Sequence, residues 1–520
     1  MRTMVAVTRV RGARGGADLV LAGARMPTLG DPEIDTLIVQ DGRIANVGRW
    51  QDMKGSLPRR AELHDLAGAT LLPGLVDGHA HFAATGYLET AIDCSHIQAL
   101  DELFRSVEIA ATDRTPGELI LGLRLDIDEL AEQRPPTLEE LSRAAPEHPV
   151  YIRHITGHSS YVNALGLALL EFSPGQPGVK LANGRPTGEL IAQATQTATQ
   201  RMYERYSQQI GYEEAFRATA ERAAEAGCTT VHAFDDLIAV RALAEIASTL
   251  PVRVVPYTQT FDLRGVKSLG LRQIGGCHAC ALDGDFDMHT AALLEPYLGS
   301  DHECGVLYHD DEALEAFVRE AHQAGLQVAF HAVGDLAVEQ ALRAFERVLA
   351  TVPRSDARHR IEHAQLITPA QVKRARAAGV VLSVQPAFNH YWPHQTYPQY
   401  IGNRASRIDP IGSLHRAGVP LVGGSDSTVT PLDPILGVHS VVNHSRTEER
   451  LSVGEAIDMF TRGAAYASFL EGRLGQLEPG FEADLVVVDQ NPFDIDPEEL
   501  YDTSVLMTIS RGLVVFEDYG

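Results

Sequence analysis

The sequence predicts an α/β protein built on a (β/α)8 TIM barrel, and three observations carry that expectation. Through the middle of the chain, short apolar segments alternate with helical patterns, the arrangement of βα units around a parallel sheet. Their number suits a closed barrel better than a doubly wound sheet. Both chain ends read instead as short strands with turns. The third observation is an apolar run, LLPGLVDGHAHF at 71–82, that closes on two histidines one residue apart. A chain of 520 residues has room for one large domain and a smaller one.

At the start, 17–24 and 35–48 read as strands, and Asp41-Gly42 between apolar runs signals a hairpin because glycine tolerates the positive φ such turns need. The closing stretch, 474–489 and then 505–516, is again β-rich. The division that follows has 1–72 and 475–520 as one β unit and 73–474 as the barrel. After the run at 71–82, candidate barrel strands are 228–234, 252–257, 277–283, 327–331, 359–363, 380–385 and 419–425. Helices at 213–226, 311–324, 336–348 and 369–378 fall between several of them. Helical segments at 101–110 and 138–144, with a Gly/Pro-rich stretch at 173–188, make an excursion too long for an ordinary loop. An insertion around 95–215 is therefore expected to act as a lid over the barrel mouth.

Composition narrows the function. With 44% hydrophobic and 22% charged residues the chain has the make-up of a soluble globular protein. A formal charge of −25 repels phosphate backbones, which argues against nucleic acid or an anionic membrane as partner. Residues 1–11 lack the apolar core of a signal peptide, and no stretch has the length of a membrane span. Five scattered cysteines (Cys94, Cys228, Cys277, Cys280, Cys304) suit a reducing compartment, so a cytoplasmic location is expected.

The chemistry gathers at strand ends. Side chains alternate faces along a strand, so His79 and His81 point the same way and can chelate one metal ion. Barrel enzymes keep their chemistry at the carboxyl ends of the strands, where this pair falls. QVAFHAVGD at 327–335 and HRIEHAQ at 359–365 each hold a strand that ends in a histidine, His331 and His363, and LVGGSDS at 421–427 delivers Asp426 after a glycine-softened strand. Each alone means little; in a barrel, four histidines and an aspartate at the ends of four strands converge on one point.

These blocks resemble the amidohydrolase superfamily, and within it the amidohydrolase family 3 group that includes N-substituted formamide deformylase-like proteins. The resemblance runs through GATLLPGLVDGHAHF (68–82), GHSSYVNALGL (157–167), GRPTGEL (184–190), DGDFDMHTAALLEPY (283–297), FHAVGDLAV (330–338), RIEHAQ (360–365), GGSDSTVTPLDP (423–434) and GQLEPGFEADLVVVD (475–489). It implies a distorted (β/α)8 TIM barrel with a β-sandwich subdomain built from both chain ends. By position, His79, His81, His331, His363 and Asp426 match the family's metal ligands. Asp426 would take the proton of a metal-activated water and hand it to a departing nitrogen, and His331 or His363 could polarise a substrate carbonyl instead of binding metal. His158 and Asn163 lie in a block near the family's active site and are expected to bind substrate, with Trp392 after the seventh strand lining the pocket.

The expected activity is hydrolysis of a non-peptide carbon–nitrogen bond in a small amide-like molecule, an N-formyl or N-acyl amine, with Zn2+ as the divalent ion and a homodimer as the assembly. Ester, lactone or cyclic amide hydrolysis is the alternative on the same site. A catalytically silent scaffold would show eroded ligands, and all five are present. One departure matters: many family members carry a metal-bridging lysine four residues before an Asp-Gly pair in the fourth strand, and here that position is Ala279. If 277–283 is a strand, Cys277, Ala279, Ala281 and Asp283 share one face, and Cys277-X-X-Cys280 splays its thiols as ordinary core cysteines do. Loss of the lysine favours one ion over two.

Overall fold

The computed structural model describes residues 8–9, 18–173 and 175–518; of the amino-terminal segment 1–11, only Thr8 and Arg9 fall among them. Eight strands form one parallel sheet in chain order: Leu75–Ala80, Cys228–Asp235, Arg253–Thr258, Gln273–Gly276, Gln327–Ala332, Arg360–His363, Val381–Val384 and Leu421–Gly423. The sheet closes just beyond the eighth strand through a parallel bridge of Ala80 with Ser427. There Asp426 N donates to His79 O at 2.7 Å and His81 N to Ser427 O at 2.7 Å. The molecule is thus an α/β barrel, with most of its strands buried on both faces.

The outer helices start where their residues say they should. Asp310 caps Asp311–Gln323 by accepting from Ala313 N at 2.8 Å, and Thr368 with Gln371 forms a capping box ahead of Pro369–Ala377. Their inward faces (Val318, Leu342, Phe345, Ala375) pack with Val328, Phe330, Ile361 and Leu382 of the strands into one apolar core.

Two expectations change. The fourth strand is not 277–283: it runs Gln273–Gly276, and a 3-10 turn, His278–Cys280, follows. Gly275 and Gly276 hold φ of +100° and +122°, and a Cβ at either would lie 2.1 Å from Ala329 O or 2.4 Å from Phe234 Cδ1. Only glycine fits there, so the ladder ends and strand alternation no longer governs the residues beyond. The excursion after the first strand holds more than helices. Val179–Ala182, Arg185–Ile191, Ser159–Val162, Val150–His154, Ile120–Leu125 and Ile92–Asp93 make a six-stranded mixed sheet. Leu103, Val107, Ile120 and Ile152 give it a core of its own.

The chain ends meet. Five strands between Thr8 and Asp65 form one sheet, and Thr70–Pro73 joins three strands from Leu485 to Glu517 in another. Leu21, Leu37, Leu71, Leu485, Val487 and Ile509 share one cluster. Asp41-Gly42, with φ of 49° and 73°, turns the first sheet's last hairpin. Among the described residues no helix is long and apolar enough to cross a membrane.

Candidate active site and metal centre

The barrel brings all five expected residues to one place at the carboxyl ends of its strands. Asp426 Oδ1 lies 3.3 Å from His79 Nε2 and 3.2 Å from His81 Nε2. The His363 ring is 5.3 Å from that of His79 and 4.5 Å from that of His331, centroid to centroid. All five are buried. Cys277, the first residue past the glycine pair, puts its Sγ 3.5 Å from His79 Nε2 and 3.8 Å from His363 Nε2.

Outer partners orient the imidazoles. His79 Nδ1 is 2.7 Å from Glu362 Oε2, His81 Nδ1 is 3.2 Å from Phe234 O, and His363 Nδ1 is 2.8 Å from Gln385 Oε1. Each partner only accepts, so each Nδ1 carries a proton and each Nε2 is the nitrogen left to face inward. His331 is reversed: its Nε2 faces Gly284 O at 3.4 Å, which leaves Nδ1 free. Behind His79, Arg360 grips Glu362 through Nε–Oε1 at 2.6 Å and Nη2–Oε2 at 2.9 Å, and also meets His232 Nδ1 at 3.1 Å. His232 is therefore a partner of this buried pair.

The electrostatics suit a cation. Burial pushes His363 down to about 4 and, with His363 nearby, His331 well below the ordinary histidine value, so both are neutral donors. Burial would raise the Asp426 carboxyl, but His79 and His81 outweigh it and hold the group well below the usual carboxylate range. Burial would likewise lower His79, yet Cys277, Asp426 and Glu362 raise it well above its usual value: its surroundings favour positive charge. Asp426 Oδ1 is buried and accepts no hydrogen bond, although two imidazole nitrogens stand beside it. An anionic oxygen left this way costs free energy unless a cation meets it. Three groups of donors lie within 4.8 Å of one another: His79, His81 and Cys277; Cys277, His331 and His363; His79, His363 and Asp426. The residues fit a divalent metal.

A cleft of about 940 Å³, open to solvent, stands above these residues. His158 lines it, with its ring 5.0 Å from His331, and so does Trp392. Asn163 does not reach it. Its Oδ1 accepts from Val150 N at 2.9 Å and Gly166 N at 2.8 Å, while Nδ2 donates to His148 O at 2.8 Å and Ala145 O at 3.3 Å. With its amide spent on backbone, Asn163 caps the helix Ala164–Leu170 and is a structural residue. Arg153 and His154, at the end of an inserted strand, line the cleft and were not anticipated; an Arg-His pair closing the apolar VYI segment was the available signal. Asp283 is also structural: its carboxylate accepts from Val333, Gly334 and Ala292 N at 2.8–2.9 Å.

Comparison with known proteins agrees with this geometry. The amidohydrolase family model Amidohydro_3 matches residues 62–516. The putative amidohydrolase YtcJ of Bacillus subtilis (strain 168) is 29% identical over 519 residues, covering 93% of this chain and 96% of its own. N-substituted formamide deformylase of Arthrobacter pascens is 24% identical over 551 residues, covering 97% and 99%. A crystal structure of an uncharacterized metal-dependent hydrolase from Pyrococcus horikoshii OT3 superposes with a TM-score of 0.75 at 25% identity, covering 92% of this chain and 99% of the other.

Proposed function

For a chain that belongs to the amidohydrolase family and is a metal-dependent hydrolase, we propose cleavage of a non-peptide carbon–nitrogen bond, an N-formyl or N-acyl amide, in a small molecule. The observation that carries the reading is Asp426 Oδ1, buried, without a hydrogen bond, and flanked by His79 and His81 at the floor of an open cleft. His79, His81, His331, His363 and Asp426 would hold a divalent ion, which would supply the charge that makes hydroxide available at neutral pH and polarises a carbonyl. Imidazole and carboxylate donors suit zinc.

The chain's own residues do the rest. Asp426 accepts the proton of the attacking water and delivers it to the nitrogen that leaves, the step an amide needs and an ester does not. His158, its Nδ1 buried without a hydrogen bond, faces the cleft beside His331 and is placed to hold the substrate's oxygen or nitrogen. Phe286, Phe388, Trp392 and Tyr397 form an apolar wall for the amine's substituent. The deformylase relative, which matches nearly end to end, supports the choice of bond.

A panel of N-formyl and N-acyl amines beside matched esters, lactones and cyclic amides tests this, with amine release as the readout. Acyclic amides are expected to show the highest kcat/KM. Preferential turnover of an ester, lactone or cyclic amide would replace the reading.

A further inference from the structure

We propose that Cys277 is a metal ligand whose thiolate bridges two divalent ions, one held by His79, His81 and Asp426 and the other by His331 and His363, in the place of the lysine this chain lacks. The inference deepens the reading of this site as a metal centre and does not depend on which bond the enzyme cleaves.

Cys277 is unlike the other buried cysteines. Cys94, Cys228 and Cys280 each sit within an apolar cluster, whereas Cys277 belongs to none of those formed by the described residues. Its sulfur points at imidazoles from two different strands, His79 of the first and His363 of the sixth. The Nδ1 atoms of both rings are already committed to Glu362 and Gln385, so the nitrogens facing the sulfur are the ones left to take a proton or a metal ion. A thiol can donate one hydrogen to one of them. That leaves several inward donors facing one another with nothing to share, the arrangement a cation resolves.

The separations fit ligation. Two donors on one tetrahedral zinc ion, with bonds of about 2.3 Å to sulfur and 2.0–2.1 Å to nitrogen or oxygen, stand roughly 3.3–3.6 Å apart. Sγ to His79 Nε2 is 3.5 Å, and Asp426 Oδ1 to the nitrogens of His79 and His81 is 3.3 and 3.2 Å. Cys277 is also the member common to the triads that contain His81 and His331, so it stands between the two histidine pairs. The expectation of a single ion rested on the missing lysine and on reading 277–283 as a strand; the strand ends at Gly276 instead. Two dications close together repel unless an anion lies between them, and a thiolate is such an anion. Its formation balances simply: as sulfur binds metal, the S–H bond breaks and one proton leaves to solvent.

Metal content by mass spectrometry and the absorption spectrum of cobalt-substituted protein test the proposal without any substrate. Wild-type protein should hold two equivalents per chain, and its cobalt form should show a sulfur-to-cobalt charge-transfer band. Cys277→Ser should lose that band and fall to one equivalent, while Cys304→Ser keeps both. Cys277→Asp, which restores an anion, should hold two equivalents with no band, so that loss of folding in the serine variant is told apart from loss of the bridge. One equivalent in wild type, absence of the band, or two equivalents retained in Cys277→Ser would overturn it. If amide turnover fails while the band and stoichiometry stand, the bond assignment is wrong and this inference is not.

Discussion

The first and fourth barrel strands each bring side chains to the same point, and they do so by opposite means. Leu75–Ala80 pairs with Cys228–Asp235 on one side and, through Ala80, with Ser427 on the other; although the first pairing is irregular between Asp77 and Ala80, the bonds at its end hold His79 and His81 toward Asp426. Gln273–Gly276 stops after four residues because Gly275 and Gly276 take conformations open only to glycine, and the chain swings into a turn. Cys277 reaches the site because the strand has ended there. Position along a strand determines a side chain's direction only while the ladder persists; past a glycine pair, the turn determines it. Both strands need glycine, but for different reasons: Gly78 lets the first pass close to Val422, whereas Gly275 and Gly276 end the fourth.

The largest effect should come where the two sets meet. Asp426→Asn keeps the shape but cannot accept a proton, so turnover should fall by roughly two or more orders of magnitude. Near wild-type turnover with metal retained would remove Asp426 from the proton path. A smaller effect should follow on the first-strand side from Glu362→Gln. The Glu362 carboxylate, held down to about 2 by Arg360 and His79 against the opposing effect of burial, fixes the His79 tautomer. Loss of such a partner typically weakens metal binding by about 10–100-fold. Competition with a chelator measures it, alongside a thermal melt to register the broken Arg360 pair; unchanged affinity with a lowered Tm would make Glu362 a partner of Arg360 alone.

What the sequence disclosed follows the same division. His79, His81, His331, His363 and Asp426 were legible because each stands at the end of an apolar segment, and a barrel needs only that to converge them. Cys277 was not, because 277–283 looks like a strand by composition; the Gly275-Gly276 pair just before it was the sign that the ladder stops. Asn163 was misjudged for a related reason. Its neighbourhood in the chain suggested a binding residue, while an Asn directly before ALGLALL is a helix cap by position. The sheet inside the insertion was hidden in part because Ser159–Val162, besides its local hairpin with Val150–His154, pairs with the distant Arg185–Ile191. Arg153 and His154 reach the cleft at the end of the first strand of that hairpin.

The fourth strand's dependence on glycine can itself be broken. At Gly276 a methyl group meets two penalties: φ of +122° is strained for any L side chain, and the new Cβ would lie 2.4 Å from Phe234 Cδ1. Phe234 is not free to retreat, since its ring stacks on His79 at 3.9 Å and on Tyr257 at 4.8 Å. Gly276→Ala should therefore cost about 1–3 kcal/mol in folding stability and push both Cys277 and His79 off their positions. Bound metal per chain should fall with the melting temperature. Gly270→Ala supplies the control, because φ there is +69° but nothing lies within 4 Å of the added carbon. That variant bears the backbone strain alone, so it should lose some stability and no metal. If Gly276→Ala melts earlier yet keeps its full metal complement, the turn matters to folding only, and the placement of Cys277 does not depend on the glycine that precedes it.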